Sequence, residues 1–149
     1  PFTGIEKAYY EDKSLKYELP FKNGKFDGKA IEYYPSGKIE SESFYVNGKL
    51  NGKSIEYYKN GNLKSDGNYK DGKRDGLTKT YFEDGTIRSE IYYKNGELDG
   101  LAKEYYGNGQ VYIQENYKNG ELDGESLNFY KDGKLKGREL YKNGKLIKN

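Results

Sequence analysis

Carboxylates, lysines and tyrosines are the side chains through which this sequence could do chemistry. It holds 24 Asp and Glu, 26 Lys and Arg and 18 Tyr, with no Cys and no His. Thiolate nucleophiles, Cys-based zinc or iron–sulfur sites, imidazole ligands and a Ser–His–Asp triad are therefore excluded. The carboxylates that remain are regularly spaced. Glu32, Glu56 and Glu104 hold one place in a 24-residue period; Glu18, Glu42, Asp66 and Glu90 hold another. A catalytic pair is a singular feature of a cleft. Recurrence points instead to cross-strand charge pairs on a solvated face. Asp75, Asp99, Asp123 and Asn51 precede glycines, but their spacing fits neither an EF-hand nor the glycine-rich nonapeptide calcium repeat. They are assigned to turns. No catalytic residue, metal or cofactor is expected.

The elements that carry these residues follow from the repeat. Gly24, Gly48, Gly72, Gly96, Gly120 and Gly144 are each 24 residues apart, as are Gly4, Gly28, Gly52, Gly76, Gly100 and Gly124, and Gly37, Gly61, Gly85, Gly109 and Gly133. Seventeen of the twenty glycines fall in these columns, which chance does not produce. The copies are 4–27, 28–51, 52–75, 76–99, 100–123 and 124–147 within a single repeat domain, 1–149. Three aromatic columns keep the same period: Tyr9, Tyr33, Tyr57, Tyr81, Tyr105 and Phe129; then Tyr10, Tyr34, Tyr58, Phe82, Tyr106 and Tyr130; then Phe21, Tyr45, Tyr69, Tyr93, Tyr117 and Tyr141. An aliphatic column runs Leu15, Ile39, Leu63, Ile87, Val111 and Leu135.

Each copy has two turn signals, and the stretches between them have strand length and strand composition. The sequence therefore predicts an all-β fold: an elongated, twisted, single-layer antiparallel meander of six hairpins, about 12 strands. Tyr34-Pro35-Ser36-Gly37 and its equivalents fit a type I turn closed by a glycine bulge, with Gly37, Gly61, Gly85, Gly109 and Gly133 at the left-handed position. Lys13 replaces that glycine in the first copy, which is expected to be a degenerate cap. The second turn, at Gly24, Gly48, Gly72, Gly96 and Gly120, reads as a longer loop whose Asn and Asp bond the local backbone. The first turn sets a register in which Tyr33 faces Ile39, Glu32 faces Glu40 and Glu56 faces Lys64. One face should then be mainly apolar, with the first and third aromatic columns, the aliphatic column, Ile31 and Ile55. The other should carry the second aromatic column amid Glu32, Glu56, Glu104, Lys64 and Arg88.

A hydrophobic content of 33% and a mean hydropathy of −1.16 would suggest disorder. A net charge of +2 and 16% aromatic residues oppose it, since tyrosine buries a ring while its hydroxyl stays wet. No apolar run is long enough for a membrane-spanning helix. The near-balanced charge argues against nucleic-acid binding. Pro1 in place of Met leads us to expect a processed or trimmed chain, and the stop at Leu146-Ile147-Lys148-Asn149 a longer natural array.

Of the columns, Tyr10, Tyr34, Tyr58, Phe82, Tyr106 and Tyr130 is the best candidate for partner contact, because tyrosine offers large area at low entropy cost. The lysine column Lys22, Lys70, Lys94, Lys118 and Lys142 is read as protection of the sheet against strand addition. The expected function is a non-catalytic scaffold that binds a protein. A membrane surface or cell-envelope ligand is the alternative, and edge strands or the apolar face offer a route to self-association.

Glu56 to Ser65, E-Y-Y-K-N-G-N-L-K-S, followed by Tyr69 to Gly76, Y-K-D-G-K-R-D-G, resembles the bacterial variant of MORN (membrane occupation and recognition nexus) repeats. The resemblance runs from about Gly4 to Leu146. It implies a single-layer sheet of hairpins. It also implies bacterial relatives that act as antitoxins or sit in exported and surface proteins, so an exported or cell-envelope location is favoured over a cytoplasmic one. Eukaryotic relatives serve as scaffolds linked to phospholipid membranes. The family often carries Trp early in the repeat, and this chain has none. Tyr-Tyr followed by Asn-Gly also resembles choline- or glucan-holding cell-wall repeats, which depend on Trp as well as Tyr.

Overall fold

A computed structural model describes all 149 residues as strands and turns, with no helix. It divides into two compact units, Pro1–Lys73 and Arg74–Asn149. The first contains β1 (Gly4–Tyr9), β2 (Leu15–Lys22), β3 (Lys25–Phe26), β4 (Gly28–Tyr33), β5 (Ile39–Val46), β6 (Lys49–Tyr57) and β7 (Leu63–Lys70). A two-residue piece, β8 (Lys73–Arg74), follows. The second contains β9 (Gly76–Tyr81), β10 (Ile87–Lys94), β11 (Glu97–Tyr105), β12 (Val111–Lys118), β13 (Glu121–Phe129), β14 (Leu135–Lys142) and β15 (Lys145–Lys148). In each unit consecutive long strands pair antiparallel, so each is a single-layer meander.

The first turn forms as the residues demand. Gly37 N–H donates to the Tyr34 carbonyl at 2.8 Å, Tyr34 N–H donates to the Lys38 carbonyl at 2.8 Å, and Gly37 has φ 85°. Asn60, Asp84, Asn108 and Asp132 each brace this turn, their side chains accepting from the backbone N–H two residues on. The first copy makes the same turn with Lys13 at φ 69°, so it is a full hairpin that carries backbone strain.

The second turn differs from the expectation. Asn95 (φ 51°) and Gly96 (φ 84°) form a two-residue turn, and Lys94 already pairs with Glu97. Positive φ at both residues is the hairpin geometry that Asn-Gly favours, because its twist matches that of the strands. The strand therefore resumes at once. It runs through Asn51-Gly52 in β6 and through Asp-Gly in β11 and β13, and breaks at Asp27-Gly28 and Asp75-Gly76 to leave β3 and β8 as short pieces. Those two pieces and β15 raise the count from the expected 12 or so to fifteen. The aspartates do not bond their own turn. Asp27 and Asp99 accept from Asn47 N–H (3.1 Å) and Asn119 N–H (3.3 Å), one repeat further on.

The register also differs. Tyr33 faces Ile39 as expected, but Glu32 then faces Ser41, and Glu56 faces Ser65. Glu40 and Lys64 stand outside the pairing as bulges. Each bulge reverses the alternation of the strand beyond it, so the third aromatic column lies on the face of the second column, not of the first. Tyr45 thus senses the charge of Glu32. The face expected to be apolar carries Tyr33, Ile31 and Ile39 together with Glu42 and Lys29, which form an ion pair.

No large side chain is fully buried; the most enclosed residues are small, with Ala30 7%, Thr78 5% and Ser126 3% exposed. Tyrosine rings half-covered by their neighbours replace a core.

Replacing Lys13 by Gly should stabilise the protein by about 1 kcal/mol, because only glycine takes this φ without cost. Gly85→Ala, at φ 91°, should destabilise it by about as much. Urea unfolding of the two variants checks both signs.

Candidate functional site

The bulge sets the geometry of the face on which the second aromatic column stands. The bulged residues are Lys16, Glu40 and Lys64 in the first unit and Arg88, Tyr112 and Lys136 in the second. A bulged residue has no cross-strand partner, and its side chain is re-aimed. Here most lie over the second aromatic column. Lys16 Nζ is 5.7 Å from the Tyr10 ring centre, Lys64 Nζ 5.8 Å from that of Tyr58, and Lys136 Nζ 5.7 Å from that of Tyr130. The Arg88 guanidinium is 5.8 Å from the Phe82 ring centre, and the Tyr112 ring meets Tyr106 edge-on at 5.1 Å. These are cation–π and aromatic contacts of ordinary length. Glu40 is the exception, since an acid cannot bind the electron-rich face of Tyr34.

Three hydroxyls of this column are engaged elsewhere. Tyr10, Tyr34 and Tyr106 donate to the carbonyls of Tyr33 (2.6 Å), Tyr57 (2.6 Å) and Phe129 (2.8 Å), each in the following repeat. Burial, with Glu40 and Glu56 nearby, holds the Tyr34 hydroxyl above its ordinary pKa. Tyr130 is 52% exposed. Within each unit the column expected to meet a partner is thus brought together, Tyr10, Tyr34 and Tyr58 in the first and Phe82, Tyr106 and Tyr130 in the second, and it offers mainly rings. The residues that top it are the bulged ones, which sequence reading passed over. One signal would have found them: a pairing of Glu32 with Glu40 sets like charges opposite each other, which a bulge avoids.

The opposite face carries the regular carboxylates. Glu18 accepts from Lys7 Nζ (2.7 Å) and from the Tyr33 hydroxyl (2.9 Å). Glu42 likewise holds Lys29 and Tyr57, and Glu90 holds Lys79 and Tyr105. Each tyrosine belongs to the repeat after its carboxylate. The Lys7 ammonium and the Tyr33 hydroxyl hold the Glu18 carboxyl below its ordinary pKa; burial and the paired carboxylates push Tyr57 and Tyr105 up. These groups are fixed in charge-balanced triads that join repeats, and no group of three or more acids in the structure could hold a metal ion. The turn glycines form a third connection. Gly24, Gly48 and Gly72 N–H donate to the carbonyls of Phe2, Phe26 and Leu50, and Gly96, Gly120 and Gly144 N–H to those of Arg74, Leu98 and Leu122, at 2.7–2.8 Å.

The repeat described as the MORN repeat variant matches residues 2–23, 26–47, 50–71, 74–95, 98–119 and 122–147. The chain belongs to the MORN repeat family. The matched segments start two residues before the glycines that opened each copy in the sequence, and they keep the 24-residue step. MORN repeats are in general binding modules and not enzymes, in keeping with a non-catalytic scaffold. No curated protein matches the chain.

Tyr34→Phe should cost about 1 kcal/mol by deleting the bond to Tyr57, whereas Tyr130→Phe should cost close to nothing. Base should also unfold the protein. Burial and the Glu115 carboxylate push Tyr117 from the ordinary 10.0 to about 12, and Tyr33, Tyr57 and Tyr105 are also raised. A raised folded pKa gives stability that is whole below pH 10 and is lost as pH rises toward 12. Near-ultraviolet tyrosinate absorbance and far-ultraviolet dichroism, followed together through that range, check it.

Proposed function

We propose that the protein is a non-catalytic scaffold that binds a protein partner along the face carrying the second aromatic column. One observation supports this above the rest. The column itself is nearly uniform from repeat to repeat, while the residue that tops it reads Lys, Glu, Lys, Arg, Tyr and Lys. Lys16, Lys64, Arg88, Tyr112 and Lys136 are all exposed. A constant aromatic platform under a varied, mostly cationic row suits recognition of an extended surface on another protein. Rigid stacking lowers the entropy lost on contact. Blocking a toxin would be one form of such binding, and exposure at a cell surface another.

Affinity capture from the source organism, with the wild-type chain and a K64E/R88E variant as baits, tests the reading. Neither residue is enclosed, so the variant should keep its melting temperature to within a few degrees. A protein held by the wild type and lost by the variant is the expected result. Equal capture by both baits, or co-sedimentation with anionic vesicles and no protein capture, contradicts it.

A further inference from the structure

Glu40 breaks the pattern of the bulged row, and the break leaves a space. Four of the six bulged residues place a cation over the second aromatic column, and a fifth places a tyrosine. Beside Tyr34 there is instead an open cavity of about 310 Å³, whose lining includes Tyr34, Tyr57, Lys64, Glu32, Glu40 and Glu56. The nearby cations already have partners. Lys64 lies over Tyr58 and 3.9 Å from Glu56, and Lys38 Nζ donates to the Asn60 carbonyl at 3.1 Å. The side chains of Glu32 and Glu40 take part in none of the ion pairs of this face, whereas Glu56 has Lys64. The Tyr34 hydroxyl donates to the carbonyl of Tyr57, which also lines the cavity, so its ring is held in place. The position that a cation fills in the neighbouring repeats is therefore open, fixed by its ring and surrounded by excess negative charge.

We propose that this cavity receives an arginine side chain of the partner protein, with its guanidinium stacked on Tyr34 and paired to Glu32 and Glu40. A guanidinium suits the place better than an ammonium. It is planar, stacks on an aromatic face, and presents donors to two carboxylates at once. The proposal rests on the partner-binding reading and sharpens it: the second repeat is the point at which that partner contributes the charge that the chain supplies to itself elsewhere. The rest of the bulged row is cationic or aromatic, so a single basic residue can be read only here.

Titration of the isotope-labelled full chain with N-acetyl-arginine amide, followed by nuclear magnetic resonance, tests the site. Saturable shifts are expected in the Tyr34 ring and the Glu40 amide, with the Tyr58 ring unmoved because Lys64 already lies over it. E40K should weaken the response about tenfold, since a lysine then occupies the ring as in neighbouring repeats. Lys16, Lys64 and Lys136 stand at the same register, so the variant is compatible with the fold. An unmoved Tyr34 ring in the wild type, or an equal response in E40K, overturns the proposal. So does a Tyr34 response to spermidine with none to the arginine amide, which would mark a polyamine site. This readout uses no partner, so the site can fail while partner capture stands, and the reverse.

Discussion

A one-layer sheet has no inside, and everything else in this protein answers that constraint. No large side chain is fully buried. Cohesion must run sideways, from each repeat to the next. Three hydrogen-bonded connections do this at three heights along the strands. The Asn-Gly tips bond the preceding repeat, as Gly48 does to Phe26. The middle is joined by triads such as Lys29, Glu42 and Tyr57. The other tips are joined by tyrosine hydroxyls, as Tyr34 is to Tyr57. Each bond is worth about 1 kcal/mol net, so it is their repetition that stabilises the array.

The same constraint explains the composition. Tyrosine serves both as apolar cover and as hydrogen-bond donor, which leucine or phenylalanine cannot do. Small residues such as Ala30 and Ser126 occupy the most enclosed places. Balanced charge follows as well, since each triad needs an acid and a base.

Much of this was legible in the residues. The period and the strand content follow from the glycine and aromatic columns, and the first turn from residues such as Pro35 and Gly37. The second turn was misjudged because Asp99-Gly100 looked like part of the loop, whereas Asn95-Gly96 suffices to close the hairpin. The bulge was missed for a physical reason: its residue needs no special φ and so has no fixed type, being Lys, Glu, Arg or Tyr in turn. Because alternation has period two, that one omission moved a whole aromatic column to the other face. The row that tops the second column could not be seen without it. The Tyr34 cavity depends on a contrast between repeats that only the stacking distances reveal.

Amide hydrogen exchange at Gly48, Gly72, Gly96 and Gly120 tests the central claim most directly. These residues sit at exposed hairpin tips, where a free turn would exchange quickly. If repeats are joined tip to tip, their amides should be protected to the level of mid-strand amides and should open with the array as a whole. Exchange at the rate of an unprotected turn would contradict the account.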